Sequence, residues 1–588
     1  APLDSPSNVY IHSTFEKGDV HSAFAEADHV FEHTYRSQVQ HGAYIEPQAV
    51  IVWDDRESGR VQLWSCTKAP FRTKEPIAAT FGIDESELVM HPVFVGGDFG
   101  NKGTPFDVPI AYFLSKATGR PVKMVLDYLE DFLAGTPNQE MIYRLKTGVL
   151  RDGTIVAHQV QHFANCGAYA GYKPNGAMGA ANTAAGPYRI DNVRIESANV
   201  YTNTLPGQIL RAPGQPQAAF ALESHIDEVA RELGIDPAEF RLKNLVDNGE
   251  EMAAGERLAE IRAKETLRAA LDASGFMESK ASNVGRGVAI SNRGQGGGQA
   301  TVEFGLKPDG TLVIGTPIFD QGTGSHTTVF QVLCEELGVN FERVELERWT
   351  TDEVTFDAGL GGSIQSRLSS TVAYEAAQEL KRELLEFVAR YNGWQVDDLR
   401  LQGEEVLNTG IEERTNWRWL LSEAGETVTA RAHINENVRG NFTAFAAQVA
   451  EVSVDPETGQ ACLLRLTTVH DAGQVLNAIG HQGQINGAVV QGIGFATMEE
   501  LAMEEGRVLT GSFGDYKIPT AADLPELKTV LLEPSQLGSG PYRVKGIGEL
   551  PMVPVAAAIA NAVADACGAR IRDLPITSEK VYNALKAL

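Results

Sequence analysis

Apolar and polar residues alternate along the first part of the chain at Val30–Tyr35, Ala49–Trp53 and Val61–Trp64, which predicts strands separated by Gly and Asp turns. Residues 1–16 read as a loop, and Asp19 reads as the cap of a short helix running to about Asp28. A strand over Glu87–Val95 runs into Gly96-Gly97-Asp98-Phe99-Gly100-Asn101-Lys102-Gly103, and a helix is predicted from about Pro105 to Lys116. Met141–Gly148 and Thr154–Phe163 read as a hairpin across Arg151-Asp152-Gly153, followed by a small-residue region from Cys166 through Ala185. Arg211-Ala212-Pro213-Gly214-Gln215-Pro216-Gln217 opens a helix to about Leu233, and residues 234–285 read as helical, charged and rich in turns. The same logic then recurs. A hairpin turns over Lys307–Gly310, Asp320–Gly324 leads to a helix ending at Leu337, and Gly359–Ser363 precedes a helix to about Tyr391. A third hairpin turns at Asp455–Gly459, and Gln482–Gly494 sits on or beside a glycine-rich helix. Last comes Val544-Lys545-Gly546-Ile547-Gly548-Glu549-Leu550-Pro551, before the small-residue run Val553–Ala566.

At 588 residues the chain is too long for one core. A boundary near 280 divides it into residues 1–280 and 281–588. The net charge of −27 argues against nucleic acid, since a phosphate-binding face needs clustered Lys and Arg. Cys66, Cys166, Cys334, Cys462 and Cys567 lie far apart. That spacing excludes a contiguous zinc or iron–sulfur motif, fits a reducing, cytoplasmic compartment, and suggests that most of them are small core residues. The most apolar run, Val553–Ala566, is broken by Asn561 and Asp565, so no membrane span is expected. The N-terminus has neither the basic start nor the apolar centre of a signal peptide and lacks an initiating Met, so the chain is expected to begin after processing or at an artificial boundary.

Five or six glycine-rich loops, each opening a helix and several carrying Gln or Ser, suit the wrapping of a large polar cofactor by amides. The 96–103 loop resembles a phosphate-binding turn but fails the Walker pattern, because Gly103 follows Lys102. Its role is open between an anion site and a structural turn. Gly546-Ile547-Gly548 fails the dinucleotide fingerprint. There is no His pair at metal spacing and no Gly-x-Ser-x-Gly elbow, so a metal is expected to arrive within the cofactor. Arg211 reads equally as an anion clamp or a structural Arg. Glu549, on a turn between two glycines and a proline, is a candidate general base or a solvated turn residue.

The loops at 96–102, 211–217, 320–324, 361–363, 482–494 and 545–551 resemble, in this order, the molybdenum-binding part of the xanthine dehydrogenase/aldehyde oxidase family of molybdenum hydroxylases. The similarity runs from about residue 8 to Val581 and includes Ala560-Asn561-Ala562 and Leu574–Val581. It implies an α+β fold of two large mixed α/β lobes enclosing a pterin cofactor, with no protein ligand to the molybdenum. By motif position, Phe99, Gly100 and Arg211 are expected beside the metal. Gln321, Gly322, Gly362, Ser363, Ile364, Gln365 and Gln491 are expected on the pterin and its phosphate tail, and Glu549 matches the catalytic glutamate. The implied reaction oxidises an aldehyde or hydroxylates an N-heteroaromatic carbon, with water as oxygen source. Alternatives are a reductive dehydroxylase of an aromatic thioester on the same fold and a non-catalytic cofactor-binding scaffold.

Departures sharpen this expectation. Cys66-Thr67-Lys68 stands where relatives often carry Ser-Thr-Gln, which leaves the role of Lys68 open. Ala212 in place of Cys separates the chain from copper-bridged carbon monoxide dehydrogenases. Gly103, Pro213 and Asn138 stand where purine oxidisers carry Glu, Phe and Arg, so purine is disfavoured. The resemblance also implies a molybdopterin in cytosine dinucleotide form. It places a 2Fe-2S cluster and FAD on partner subunits in a hetero-oligomer, with the family's small preceding domain on another chain or cut away.

Overall fold

The structure is a computed structural model that describes residues 7–103, 106–169, 175–294, 296–436, 442–538 and 540–588, with backbone alone at 175–178. Residues read as a loop at the start of the chain instead open a five-stranded sheet. Its order is Val9–Lys17, Asn192–Tyr201, Ile155–Gly167, Met141–Val149, His29–Ser37. Val9, Ile11 and Phe15 do alternate, but Tyr10 interleaves them at the edge of the sheet and blurs the pattern. Asp19 caps the helix Val20–Glu26 by accepting from the Ser22 N–H.

A second sheet, ordered Leu88–His91, Arg60–Ser65, Ala49–Asp55, Val122–Val125, packs Val50, Val52, Leu63 and Met90 against the helices Pro70–Phe81 and Val108–Thr118. The strand expected over Glu87–Val95 is limited to Leu88–His91, and the predicted helix start at Pro105 lies outside the described residues. The helix Pro70–Phe81 has no counterpart in the sequence reading, because Pro76 inside it breaks the pattern.

The second half contributes two four-stranded sheets. One runs Val284–Gly294, Thr443–Val454, Ala461–His470, Glu526–Leu531. The other runs Val344–Arg348, Leu312–Thr316, Gly298–Leu306, Val428–Glu436, and is covered by the helices Ser325–Leu337 and Gln365–Asn392. The exposed segment 277–283 passes between the halves, yet the largest apolar cluster is continuous across it. The helix Val555–Cys567 packs between the strand Val284–Gly294 and the helix Gln215–Glu232. That close approach requires glycine. A Cβ on Gly287 would lie 2.1 Å from the Ala562 nitrogen. Asn561 ties the three elements by donating to the carbonyls of Glu223 and Val288, both at 3.1 Å. The window Leu550–Cys567 has the mean hydropathy of a membrane span, 1.5, but is 83% buried, so the core uses its apolar surface. No disulfide links the five cysteines; Cys66 and Cys166 are buried, Cys334 and Cys567 half-buried, and Cys462 is exposed.

Candidate active site

Glu549 leaves the Val544–Gly548 segment at the start of a single 3-10 turn, Leu550–Met552, that leads into the buried helix. Three distant segments meet its carboxylate. Oε2 accepts from Arg293 Nη2 at 2.6 Å and from Ser363 Oγ at 2.8 Å, and Oε1 accepts from the Ala212 N–H at 3.1 Å. Ala212 and Ser363 both have φ of +57°, a left-handed conformation that costs a non-glycine residue roughly 1–3 kcal/mol. Phe99, at +52°, is a third such residue in the same place. Burial would raise the Glu549 pKa. The Arg293 charge, the Ser363 hydroxyl, the Ala212 N–H and the Lys68 charge together outweigh it and hold the pKa below the ordinary glutamate value.

Arg211 fastens the loop that carries Glu549. Its Nε donates to the Gly548 carbonyl at 2.5 Å, Nη1 to Gln491 Oε1 at 3.2 Å, and Nη2 to the Gln484 carbonyl and Oε1 at 3.0 and 2.9 Å. Burial lowers its pKa to about 10, against the Glu549 charge, which raises it. These four bonds hold the loop in place, and Arg211 also lines both cavities beside it.

Two cavities meet at Glu549. The smaller, about 270 Å³, is lined by Gln321–Thr323, Leu360–Ser366, Asn477, His481, Gln484 and Val544 from the second half, and by Lys68, Asp98, Phe99 and Arg211 from the first. Three helices begin on it: Ser325–Leu337 after Gly324, Gln365–Asn392 after Ile364, and Ala478–Thr497 after Asn477. The second has no side-chain cap, whereas at the start of the first Asp320 Oδ2 accepts from the Ser325 N–H at 3.2 Å. The open N–H groups and positive dipole end of the helix Gln365–Asn392 make the cavity a place for an anion. Among the described residues Gln321 Oε1, His481 Nε2 and Asp98 Oδ2 also lack partners although buried. The donors, acceptors and glycine backbone therefore fit a polar pterin with a phosphate tail.

The larger cavity, about 630 Å³, shares Lys68, Phe99, Arg211, Leu360, Gly361, Gly362, Ile364 and Glu549 with the smaller one. Its remaining wall is largely apolar, with Ile77, Pro76, Phe106, Pro109, Leu210 and Pro213. The carboxylate of Glu549 thus stands on the seam between a polar cradle and an apolar chamber.

The residues singled out in the sequence fall into three groups. Gln321, Gly322, Gly362, Ser363, Ile364, Gln365, Phe99, Arg211 and Glu549 line the smaller cavity, as does Lys68, whose Nζ donates to Asp98 Oδ1 at 2.8 Å. Gly100 lines only the larger one. Gln491 lines neither and reaches the site through Arg211. The glycines around Gln491 have another use: a Cβ on Gly492 would sit 2.6 Å from Val555 Cγ2, so that glycine admits the neighbouring helix. In the 96–103 loop Lys102 is 1% exposed and pairs with Glu46 at 2.8 Å, while Asp98 accepts from Lys68 and from the Gly100 N–H. The charges of that loop are thus paired within the protein, which supports its structural role, while Asp98 and Phe99 also face the smaller cavity. The sequence reading missed Arg293, Asn477 and His481. Arg293 opens the run Arg293–Gly298, four of whose six residues are glycine, so a signal was present there.

The fold and this convergence define a molybdopterin-binding oxidoreductase subunit of α+β architecture. A molybdopterin cofactor-binding domain model matches residues 3–245, and a second molybdopterin cofactor-binding domain model matches residues 257–525. A putative xanthine dehydrogenase molybdenum-binding subunit of Escherichia coli (strain K12) is 31% identical over 99% of this chain and 80% of its own length. Among solved structures, aldehyde oxidoreductase from Desulfovibrio gigas superposes with a TM-score of 0.84 at 26% identity, covering 98% of this chain and 64% of that one. Quinoline 2-oxidoreductase from Pseudomonas putida 86 shares the fold, with a TM-score of 0.88 at 23% identity over 98% of this chain and 79% of that one. The chain belongs to the xanthine dehydrogenase/aldehyde oxidase family and is a molybdopterin-dependent oxidoreductase of the molybdenum-binding subunit type.

Proposed function

We propose that this chain is the catalytic subunit of a molybdenum hydroxylase that oxidises an aldehyde or hydroxylates an N-heteroaromatic carbon, with oxygen taken from water. The observation that carries this reading is the position of Glu549 on the seam of the two cavities with one acceptor site free. An ionised carboxylate offers about four lone-pair sites. Arg293 and Ser363 fill Oε2 and Ala212 takes one site on Oε1, which leaves Oε1 as the atom able to receive a proton. The bound molybdopterin supplies a metal centre that accepts the two electrons withdrawn from the substrate.

The chain's own residues do the rest. Gln321, Ser363, Gln365, Asn477 and the helix starts beside them hold the pterin, with the uncapped N-terminus of Gln365–Asn392 directed at its phosphate tail. Arg293 keeps Glu549 ionised at neutral pH, and Phe99 and Ile364 in the common wall limit the access of water. Electrons then need an outlet. The five cysteines of this chain are scattered, which supports a separate 2Fe-2S subunit as the outlet, and the family resemblance extends the proposal to an FAD subunit, a cytosine dinucleotide on the pterin and a cytoplasmic complex. A buried, ionised carboxylate at the seam also counts against the scaffold alternative.

The test uses the natively purified complex. About one molybdenum atom per chain is expected by mass spectrometry, and turnover of an aldehyde or N-heteroaromatic panel in ¹⁸O-water should place the label in the product. A molybdenum-free complex, or unlabelled product, overturns the proposal.

A further inference from the structure

We propose that the larger cavity receives an anionic substrate, a flat ring bearing a carboxylate whose charge is met by Arg72. This rests on the assignment of that cavity as the substrate chamber.

The chain as a whole carries a net charge of −27, yet the ionisable groups lining this cavity are Lys68, Arg72, Arg211, Arg293 and a single acid, Glu549. Two of the cations are answered at close range: Arg293 by Glu549 at 2.6 Å, and Lys68 by Asp98 at 2.8 Å. Arg211 is surrounded by neutral acceptors, and its charge is balanced only through space by the same Glu549. Arg72 has no ion pair or hydrogen bond among the described residues. The acid that feels its charge is Asp357, but that carboxylate accepts from the Gly359 N–H at 2.8 Å, and burial pushes its pKa up to about 6. The cavity therefore keeps an excess of positive charge in an acidic protein, which attracts and retains an anion.

The placement of Arg72 is itself unfavourable for local structure. It stands third in the helix Pro70–Phe81, where the positive end of the helix dipole disfavours a cation. It is exposed toward the cavity, so packing gives no reason for it. A ligand carboxylate satisfies both the dipole and the guanidinium, in the paired geometry Arg favours. The apolar wall, with Ile77, Phe99, Phe106, Pro213, Leu360 and Ile364, supplies flat contact surface for a ring.

Benzoate and benzamide share a shape and differ in charge, so calorimetric titration of the intact complex with each isolates the electrostatic contribution. Benzoate is expected to bind about tenfold more tightly, a preference that Arg72→Gln abolishes and Arg72→Lys partly restores. Because Arg72 is exposed, the melting temperature of each variant should match wild type. Equal affinities in wild type, undetectable benzoate binding, or a preference unchanged in Arg72→Gln overturns the inference. The same preparations assayed with benzaldehyde separate the two claims. Turnover without charge preference refutes the anion site and leaves the hydroxylase reading intact. Charge preference without turnover of any aldehyde or heteroaromatic supports the anion site and refutes that reading.

Discussion

Two glycine-rich turns, 96–103 and 359–366, look alike in the sequence and behave differently in the fold. Both lead into helices, Val108–Thr118 and Gln365–Asn392. In the first, Asp98 receives Lys68 and the Gly100 N–H, Asn101 donates to the carbonyls of Thr136 and Ile209 at 3.0 Å, and Lys102 is spent on Glu46. In the second, Gly361 at φ +138° and Gly362 at +63° turn the chain so that Ser363 reaches Glu549, and the helix beyond starts without a side-chain cap. Glycine marks where a backbone turns sharply. Whether the turn's donors are already used decides if it holds a ligand.

The sharpest way to break this contrast is at the residue the second turn serves. Glu549→Gln should lower kcat by about 10²–10⁴ with molybdenum content unchanged, because it removes the proton acceptor and keeps the shape. A kcat within a few-fold of wild type removes Glu549 from the mechanism.

Next come paired variants on the two turns. Asp98→Asn leaves the nearly buried Lys68 without a counter-charge and should destabilise the protein by about 3–5 kcal/mol in thermal melts. Gln321→Ala, beside the open cradle, should lower pterin content and leave the melting temperature of the cofactor-stripped chain unmoved, since Gln321 Oε1 has no protein partner among the described residues. If the two phenotypes are exchanged, the distinction between closed and open turns is wrong.

A smaller effect is expected from Gly492→Ala. The new methyl meets Val555, so stability should fall by about 1–3 kcal/mol with cofactor content retained. Cofactor loss at equal stability would make Gly492 part of the cradle after all.

The smallest effect is a shift in pH dependence. Glu549 must be ionised to accept a proton, so activity is present above its pKa and lost as pH falls through it. Arg293 is the largest of the influences that lower that pKa against burial. Arg293→Gln should therefore move the acid limb of kcat to higher pH. An acid limb that stays in place, or moves to lower pH, contradicts the role given to Arg293.

Much of the fold was legible because alternation and turn chemistry are local signals. The hairpins across Arg151–Gly153, Lys307–Gly310 and Asp455–Gly459, and the cap at Asp19, appear where the pattern puts them. The edge strand Val9–Lys17 was not legible, since a surface strand with polar neighbours carries weak alternation, and Pro76 hid the helix Pro70–Phe81. In the site, glycine spacing located the loops, and the turn of Glu549 drew attention to the carboxylate. Its partners could not be read. Ala212, Arg293 and Ser363 lie 337, 256 and 186 residues from Glu549 in the chain and are joined to it only by tertiary packing.

The most direct measurement is an experimental density map of the natively purified complex. A pterin is expected among Gln321–Thr323, Leu360–Ser366 and Asn477–Gln484, with Oε1 of Glu549 facing its metal from the seam of the two cavities. Pterin density outside those segments, or a Glu549 carboxylate turned away from the metal, would contradict it.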